Sequence, residues 1–452
     1  MKSVFMAVVL AIAATSSAAQ VNRVLVRQQW PWSADVRVEY IVSGAAAPIG
    51  VSFRFYDGDD EIAVSDASAV KGDGKYAKNG TNVITFNPKA LFGPAAPKEY
   101  MKFSVKVELG EENAPMGDKL YRIVDLDTGA VDDLVRADFY NGKYGAFETS
   151  YSAINPGFST GLQDVFIWTD VTNNIAYRTS KMVFRRIPAK NIEWLMGTNS
   201  SGLTLPIPAG RHLVKLTSDF YIGVFPVTQA QYGKLNAEGS MGRLFIDDEK
   251  YPGHESFPVH GIPYSTWRGN NNWPADGHQC SEDSYFAALR RKTGSTIVFD
   301  LPTEAQWEFA CRGGNYESIL YSGKSYSTSS LLELGWCQDN SKVDGASQPH
   351  PVGEKYPNAY GLYDMLGNMH EWCLDWTDQK SYAWTSLTEP EVDPKGVPKS
   401  DNLLDKYGNG QHIIRGASYN LSRVDMFCAN RRSDNNSSTG AACARICCIV
   451  EE

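Results

Sequence analysis

No cysteine precedes Cys280 in this chain of 452 residues, so disulfides cannot stabilise the first half of the molecule. The sequence also lacks any run of five Lys or Arg residues, and its formal net charge is -9. We therefore expect no nucleic-acid partner and no basic surface for anionic lipid. No apolar stretch of about 20 residues follows the N-terminus, so no membrane span is predicted.

Histidine is also scarce, with seven residues in the chain, and none of them are spaced as HxxxH or HExxH. The sequence therefore offers no paired-histidine motif of the kind that holds zinc or non-haem iron. What remains is ordinary globular composition, with 42% hydrophobic and 21% charged residues. At roughly 100–200 residues per domain, this length predicts two or three domains.

Residues 1–19 have the pattern of a secretory signal peptide. Lys2 precedes an apolar run at 4–14, and the small residues 17–19 come just before Gln20. We therefore expect a secreted protein or one of the periplasm or cell envelope. The alternative is that the segment is retained as an anchor.

Residues 20–180 contain short segments in which apolar and polar residues alternate. They are VRVEYIV (36–42), VSFRFYDG (51–58), NVITFNP (82–88), KFSVKVEL (102–109), YRIVDL (121–126) and DVFIW (164–168). Period two predicts strands with one buried face, and turn-rich intervals separate them. The pattern favours an all-β immunoglobulin- or fibronectin-like sandwich, which we interpret as a spacer or docking module.

Residues 181–452 have a different pattern, marked by four phrases. They are FYIGVFPVTQAQY (220–232), LPTEAQWEFACRGG (301–314), NAYGLYDMLGNMHEW (358–372) and RGASYN (415–420). Thr228 and Thr303 are expected to cap helices, and Gly313 is expected to end the second of these helices.

These phrases, in this order, resemble the formylglycine-generating enzyme or sulfatase-modifying factor family. The resemblance implies an irregular α+β fold related to C-type lectins over 181–452. It does not by itself imply catalysis.

Members of this family that make formylglycine hold copper(I) between two thiols spaced Cys-x4-Cys after the Gly-Ser-Tyr turn. Counted from Tyr419, these positions hold Leu421 and Met426. Copper(I) prefers two facing thiolates, so copper is not expected here and oxidase activity is uncertain. The family's structural bridge implies a disulfide between Cys311 and Cys428. A different gap in the match would instead place Cys428 at the second catalytic position.

The resemblance also implies a calcium site formed by Asp364, Glu371 and the carbonyls of Gly367 and Met369. Calcium takes six to eight oxygen ligands, and a glycine-broken loop can turn carbonyls inwards. Alternatively, Glu371 simply caps loop amides. Nearby, His370 and Ser418 are candidate pocket residues, although a lone histidine is more often a hydrogen-bonded surface residue.

Three functions remain open. The first is recognition of an exported protein or glycan by the 418–440 segment, which looks like the variable stretch of retroelement-diversified lectin-fold proteins. The second is formylglycine-generating oxidation of a sulfatase cysteine. The third is a structural role in the cell envelope. The predicted ligand surface consists of Asn420, Arg423, Asp425, Arg431, Arg432 and Asn435.

Overall fold

The computed structural model of the chain describes residues 6–8, 19–28, 35–43, 49–72, 76–77, 80–97, 102–110, 119–140, 142–155, 165–198, 210–236, 253–269, 272–314, 328–377, 386–399, 410–435 and 442–449. These residues form two compact units: Met1–Lys119 with Val135–Thr149, and Leu120–Leu134 with Ser150–Glu452. The strand predicted over 121–126 thus lies in the second unit, ahead of the division expected at residue 180. Most of the expected signal peptide lies outside the described residues.

Strands dominate the secondary structure. They are β1 Met6–Val8, β2 Gln20–Gln28, β3 Val36–Ser43, β4 Ile49–Asp57, β5 Asp60–Glu61, β6 Lys71–Gly72, β7 Tyr76–Ala77, β8 Gly80–Phe86, β9 Phe103–Leu109, β10 Lys119–Asp125, β11 Val131–Val135, β12 Phe147–Glu148, β13 Ile167–Trp168, β14 Lys181–Ile187, β15 Ile192–Met196, β16 His212–Leu216, β17 Phe220–Gly223, β18 Phe299–Asp300, β19 Lys342–Val343, β20 Ala346–Ser347, β21 His370–Trp376, β22 Glu391–Val392, β23 His412–Arg415, β24 Arg432–Asp434, β25 Ala442–Cys443 and β26 Cys447–Ile449.

The helices are short. They are α1 Pro88–Phe92, α2 Arg136–Tyr140, α3 Tyr151–Ile154, α4 Gln229–Leu235, α5 Tyr264–Arg268, α6 Tyr285–Lys292, α7 Glu304–Arg312 and α8 Thr328–Leu334. None of the helices in the described ranges has the length and apolar character needed to cross a membrane.

The first unit contains two antiparallel sheets. One has the order β1-β2-β3-β8-β6, and in the other β4 pairs with β5, β7 and β9. Strand β3 alternates strictly between buried and half-buried residues, as its sequence predicts. Both sheets contribute buried side chains to one core, in which the Phe55 ring contacts Phe86, Phe92 and Phe103. This core stabilises the unit without any cysteine.

The second unit mixes strands and helices. A six-stranded sheet has the order β11-β10-β14-β17-β26-β18, and a four-stranded sheet has the order β24-β23-β21-β25. The side chain of Thr228 accepts from the backbone of Gln231 at the start of α4, and Thr303 accepts from Gln306 at the start of α7. Both predicted caps are therefore confirmed.

Helix α7 ends as its sequence predicts. Gly313 follows it with a φ of 58°, in the left-handed region that favours glycine. Because both ends of α7 are defined locally, the helix is a fixed element against which the site is built. It packs against β15, β21 and β23.

Candidate functional site

The candidate site is the surface turn at residues 420–425, which follows strand β23. The chain leaves β23 through two residues with positive φ, Gly416 at 94° and Ala417 at 65°. A Cβ atom on Gly416 would lie 3.2 Å from the Trp307 ring and 3.3 Å from the Met365 carbonyl oxygen. This tight reversal therefore requires glycine and brings the following residues to the surface.

The tip of the turn is open to solvent. Asn420 and Ser422 are exposed, and Val424 is 58% exposed, which is high for an apolar side chain. Leu421 is half-buried and packs against the core. The turn therefore presents an amide, a hydroxyl and an apolar side chain close together in the chain.

Hydrogen bonds fix the N-terminal side of the turn. The Tyr419 N–H donates to the Asn368 carbonyl at 2.8 Å, and the Ser341 hydroxyl donates to the Tyr419 carbonyl at 2.8 Å. The Gln338 N–H donates to the Leu421 carbonyl at 2.9 Å. Backbone from two separate loops thus holds this end of the turn in place.

The C-terminal side is held by Asn430 and Arg415. The Asn430 side-chain amide donates to the Asp425 carbonyl at 2.6 Å. The guanidinium of Arg415, which is fully buried, donates to the Asn430 carbonyl. Both ends of the exposed turn are therefore tied to buried groups.

Five of the six residues predicted to form the ligand surface lie at or near the surface. Asn420 is exposed, and Arg423, Asp425, Arg432 and Asn435 are half-buried. Arg423 pairs with Asp339 at 3.0 Å, and Arg432 pairs with Asp425 at 3.0 Å. The charges of the turn are thus balanced by close partners.

Arg431 does not belong to this surface. It is 5% exposed, and its guanidinium donates to both carboxylate oxygens of Glu304, at 2.6 and 2.9 Å. The prediction that Arg431 lies on the exposed ligand surface is wrong, because successive residues of an extended chain point to opposite faces, and here Arg431 points inwards and Arg432 outwards.

The positions expected for a thiol pair lie in or against the core. Met426 is fully buried, beside Gly335, and Leu421 packs against the same core. Cys428 is also fully buried, and its Sγ lies 3.1 Å from the Sγ of Cys311. Burial raises the pKa of the Cys311 thiol well above its usual value. No exposed thiol lies within the described turn.

The Cys311 and Cys428 sulfur atoms are in contact but not bonded in this structure, and the disulfide bond between them stays a prediction. All eight cysteines lie in the described ranges, and seven of them are buried. The even number of cysteines would allow all eight to pair. Among these residues, however, no sulfur–sulfur contact other than that between Cys311 and Cys428 supports such pairing.

His370 and Ser418 are buried rather than exposed. His370 is 7% exposed, and burial lowers its pKa to about 4, so it is neutral at physiological pH. Among the described residues, neither the Nδ1 atom of His370 nor the hydroxyl of Ser418 has a hydrogen-bond partner. Neither side chain is exposed enough to meet a macromolecular ligand directly.

Behind the turn lies a line of five buried charged residues, which the sequence analysis missed. In order they are Arg431, Glu304, Arg415, Glu308 and Arg312, and no side chain in the line is more than 6% exposed. We call this line the buried ladder. One sequence signal pointed to it, because Glu304 and Glu308 are one turn apart on helix α7, where apolar residues such as Trp307 and Phe309 lie beside them.

Asp375 lies at one end of the buried ladder. Its Oδ2 accepts from the Glu304 N–H at 2.7 Å, at the first residue of α7. Burial, and secondly the negative charge of Glu304, raise the pKa of Asp375 to about 8. Asp375 is therefore largely protonated at neutral pH.

Comparison with known proteins identifies the family. A family model described as "Sulfatase-modifying factor enzyme 1-like domain" matches residues 187–444, more than half of the chain. The chain belongs to the sulfatase-modifying factor family. The expectation drawn from the four sequence phrases is thereby confirmed for the second unit.

The curated relatives of this sulfatase-modifying factor protein include both a kinase by name and formylglycine-generating enzymes. "Serine/threonine-protein kinase Pkn1" of Chlamydia trachomatis serovar L2 is 28% identical over 252 residues, which are 50% of this chain and 33% of the relative. "Formylglycine-generating enzyme" of Streptomyces coelicolor is 32% identical over 163 residues, which are 32% of this chain and 46% of the relative. The chain thus spans less than half the length of either relative.

Solved structures show weak overall likeness. "Treponema denticola variable protein 1" has a TM-score of 0.40 and 21% identity, covering 60% of this chain and 96% of its own. PvdO from Pseudomonas aeruginosa has a TM-score of 0.39 and 21% identity, covering 59% of this chain and 94% of its own.

The residues of this family member do not fit the calcium site implied by the resemblance. Both carboxylate oxygens of Glu371 accept from Arg445, and Oε2 also accepts from Trp307 Nε1 at 2.6 Å. Asp364 is buried, accepts from the Gly353 N–H at 2.7 Å and has its pKa raised to about 6 by burial. Glu371 therefore already has a cationic partner.

Among the described residues, no group of three or more His, Cys, Asp or Glu side chains is arranged to hold a metal ion. Calcium ligation by Glu371 would require this carboxylate to leave Arg445.

Proposed function

We propose that this sulfatase-modifying factor protein is an exported ligand-recognition protein that lacks copper–thiol oxidase chemistry. The observation that carries the proposal is the 420–425 turn. Its tip is exposed, while both of its ends are fixed by hydrogen bonds to buried groups. A recognition loop on a rigid frame loses little conformational entropy on binding, which favours affinity.

The chemistry of the turn argues against oxidation. Copper(I) needs two thiolates, and residues 420–425 contain no cysteine. Cys428, which follows the turn, is buried against Cys311, and burial raises the pKa of the Cys311 thiol well above its usual value, which disfavours a thiolate there. The polar groups at the tip, Asn420 and Ser422, are suited to hydrogen bonding rather than to electron transfer. Recognition requires only the groups that the turn exposes.

The proposed ligand is an exported protein or a glycan, and the first unit is proposed to be an immunoglobulin- or fibronectin-like docking sandwich. The two antiparallel sheets of the first unit, which share one core, support this assignment. The proposed export rests on the pattern of residues 1–19.

Two matched variants test the role of the turn. Val424→Asp changes a side chain that is 58% exposed on the turn, and Val392→Asp changes one that is 54% exposed on β22. Purified wild-type protein is applied to arrays of glycans and envelope proteins, and each ligand found is retested with both variants. We expect Val424→Asp to weaken binding at least about tenfold, because it buries a charge in the interface, and Val392→Asp to leave it unchanged. Equal loss in both variants, or no ligand on either array, would contradict the proposal.

The competing function is formylglycine generation, which the names of several relatives favour. It is tested by incubating the protein with copper, oxygen and a Cys-x-Pro-x-Arg peptide. We expect the peptide mass to stay unchanged. A mass loss at the cysteine, absent without copper, would establish the oxidase instead.

Within the recognition function, we propose that the 418–440 segment is diversified by a retroelement. This proposal predicts a near-copy of the 418–440 coding segment close to the gene, differing mainly at adenines. Sequencing the surrounding locus decides this point.

A further inference from the structure

We infer that the buried ladder is the positioning device of the 420–425 turn, so that residues which never reach the surface set the conformation that meets the ligand. This inference rests on the proposed recognition function, because the turn matters for binding only if it meets the ligand. The positioning itself is testable without a ligand.

The buried ladder alternates in charge along its whole length. Arg431 donates to both oxygens of Glu304, and Arg415 approaches the same carboxylate with its Nε 3.3 Å from Oε1. Arg415 also donates to Glu308, whose other oxygen accepts from Arg312 at 2.6 and 2.9 Å. Each carboxylate is thus held between two guanidiniums, which are planar forks suited to such pairing.

The buried ladder is attached to rigid structure at its Arg312 end and to the turn through its middle residue, Arg415. Arg312 donates to the Gly197 carbonyl at 2.8 Å, and Glu308 accepts from the Gly197 N–H at 2.9 Å. Arg415 donates to the carbonyl of Asn430, whose side chain in turn holds the Asp425 carbonyl. Hydrogen bonds therefore link helix α7 to the last residue of the turn by way of Arg415 and Asn430.

An ion pair on the surface would not position the turn as firmly. Arg432 and Asp425 pair at 3.0 Å, but their side chains are 30% and 18% exposed. Water screens such a pair, and its side chains keep more freedom than those of a fully buried pair. Arg431 and Arg432 are neighbours in sequence, one in the ladder and one in the surface pair, so they form a natural test and control.

The experiment is amide hydrogen exchange on the full-length protein, comparing wild type, Arg431→Lys and Arg432→Lys. Arg431→Lys keeps the charge but loses the fork, and it is mild enough for the protein to fold. The reporters are the amides of Asp425, Met426, Phe427 and Asn430, all of which donate to backbone carbonyls within the segment. Glu308→Gln serves as a second variant, at the carboxylate to which Arg415 donates.

We expect Arg431→Lys to speed exchange at the reporter amides by about tenfold and to leave the amides of β14 and β17 unchanged. Glu308→Gln should affect the same reporters, and Arg432→Lys should leave all amides within about twofold of wild type. Unchanged reporters in Arg431→Lys, or an equal increase over the whole second unit, would overturn the inference. Unchanged reporter amides would mean that the buried ladder does not position the turn. An equal increase would mean that the ladder stabilises the whole second unit and not the turn in particular.

This test separates the two proposals. If the reporters respond as expected but no ligand is found on either array, the positioning stands and the recognition function fails. If a ligand binds and Arg431→Lys weakens its binding as Val424→Asp does, although residue 431 lies beneath the surface, both stand.

Discussion

Replacing Arg445 by Met is expected to lower the free energy of unfolding of the second unit by about 3–5 kcal/mol, because it leaves the carboxylate of Glu371 buried without its cation. Both side chains are 0% exposed. Arg445 Nη2 donates to Glu371 Oε1 at 2.6 Å, and its Nε donates to Oε2 at 2.9 Å. After the change, the Glu371 carboxylate still accepts a hydrogen bond from Trp307 Nε1, but this donor is neutral.

The same guanidinium also satisfies three backbone carbonyls. It donates to Gly223 at 2.8 Å, to Val224 at 3.0 Å and to Tyr363 at 2.7 Å. A buried acceptor without a donor costs about 1–3 kcal/mol, although such losses overlap and do not simply add. We therefore expect the upper part of the range, which is a large share of the roughly 5–15 kcal/mol that typically stabilises a folded protein.

Urea unfolding followed by tryptophan fluorescence measures this loss. Glu371→Gln in the Arg445→Met background should recover part of it, because the stranded charge is removed while the amide still accepts from Trp307. The control is Lys234→Met, which breaks an exposed pair with Asp127 at 2.6 Å and should cost at most about 1 kcal/mol. A cost for Arg445→Met as small as that of the control would refute the reasoning.

Other predictions address charge, core, thiols and calcium. Protonated Asp375 stabilises the fold fully below about pH 4, and this contribution is lost as the pH rises towards 8. Asp375→Asn should therefore give a Tm that changes less with pH between about pH 5 and 8. Phe55→Ala should destabilise the first unit by about 3–5 kcal/mol in urea unfolding, since this ring contacts four others. Alkylation and mass spectrometry of oxidised, denatured protein should find Cys311 and Cys428 bridged and the other cysteines free. Calcium at about 1 mM should leave Tm unchanged, and a rise reversed by a chelator would show that Glu371 exchanges Arg445 for the ion.

Local features were the part of the fold that could be predicted from the sequence. Thr228 and Thr303 cap helices because a cap depends on residues within one turn. The strands of the first unit were predictable because alternation is a local period, as in β3. Membership of the family followed from four phrases that each extend over several residues.

The buried ladder could not be predicted, because it pairs residues far apart in the chain. Glu304 is 127 positions from Arg431, and Glu308 is 107 positions from Arg415. Composition gives no sign of which Arg is buried. Arg431 and Arg432 differ only in the face they occupy, and a shift of one residue in the pairing of β24 with β23 would exchange their roles.

The division of charge in this molecule bears on how the proposed recognition surface can change. The charges that stabilise the frame, such as Arg415 and Glu308, are buried, while Asn420, Ser422 and Val424 are exposed. Substitutions at exposed positions away from caps and ion pairs usually change stability by less than about 0.5 kcal/mol. Residues 420, 422 and 424 can therefore vary in chemistry without loosening the turn. Selection for a new ligand can act on the tip of the turn while the buried ladder keeps its geometry constant.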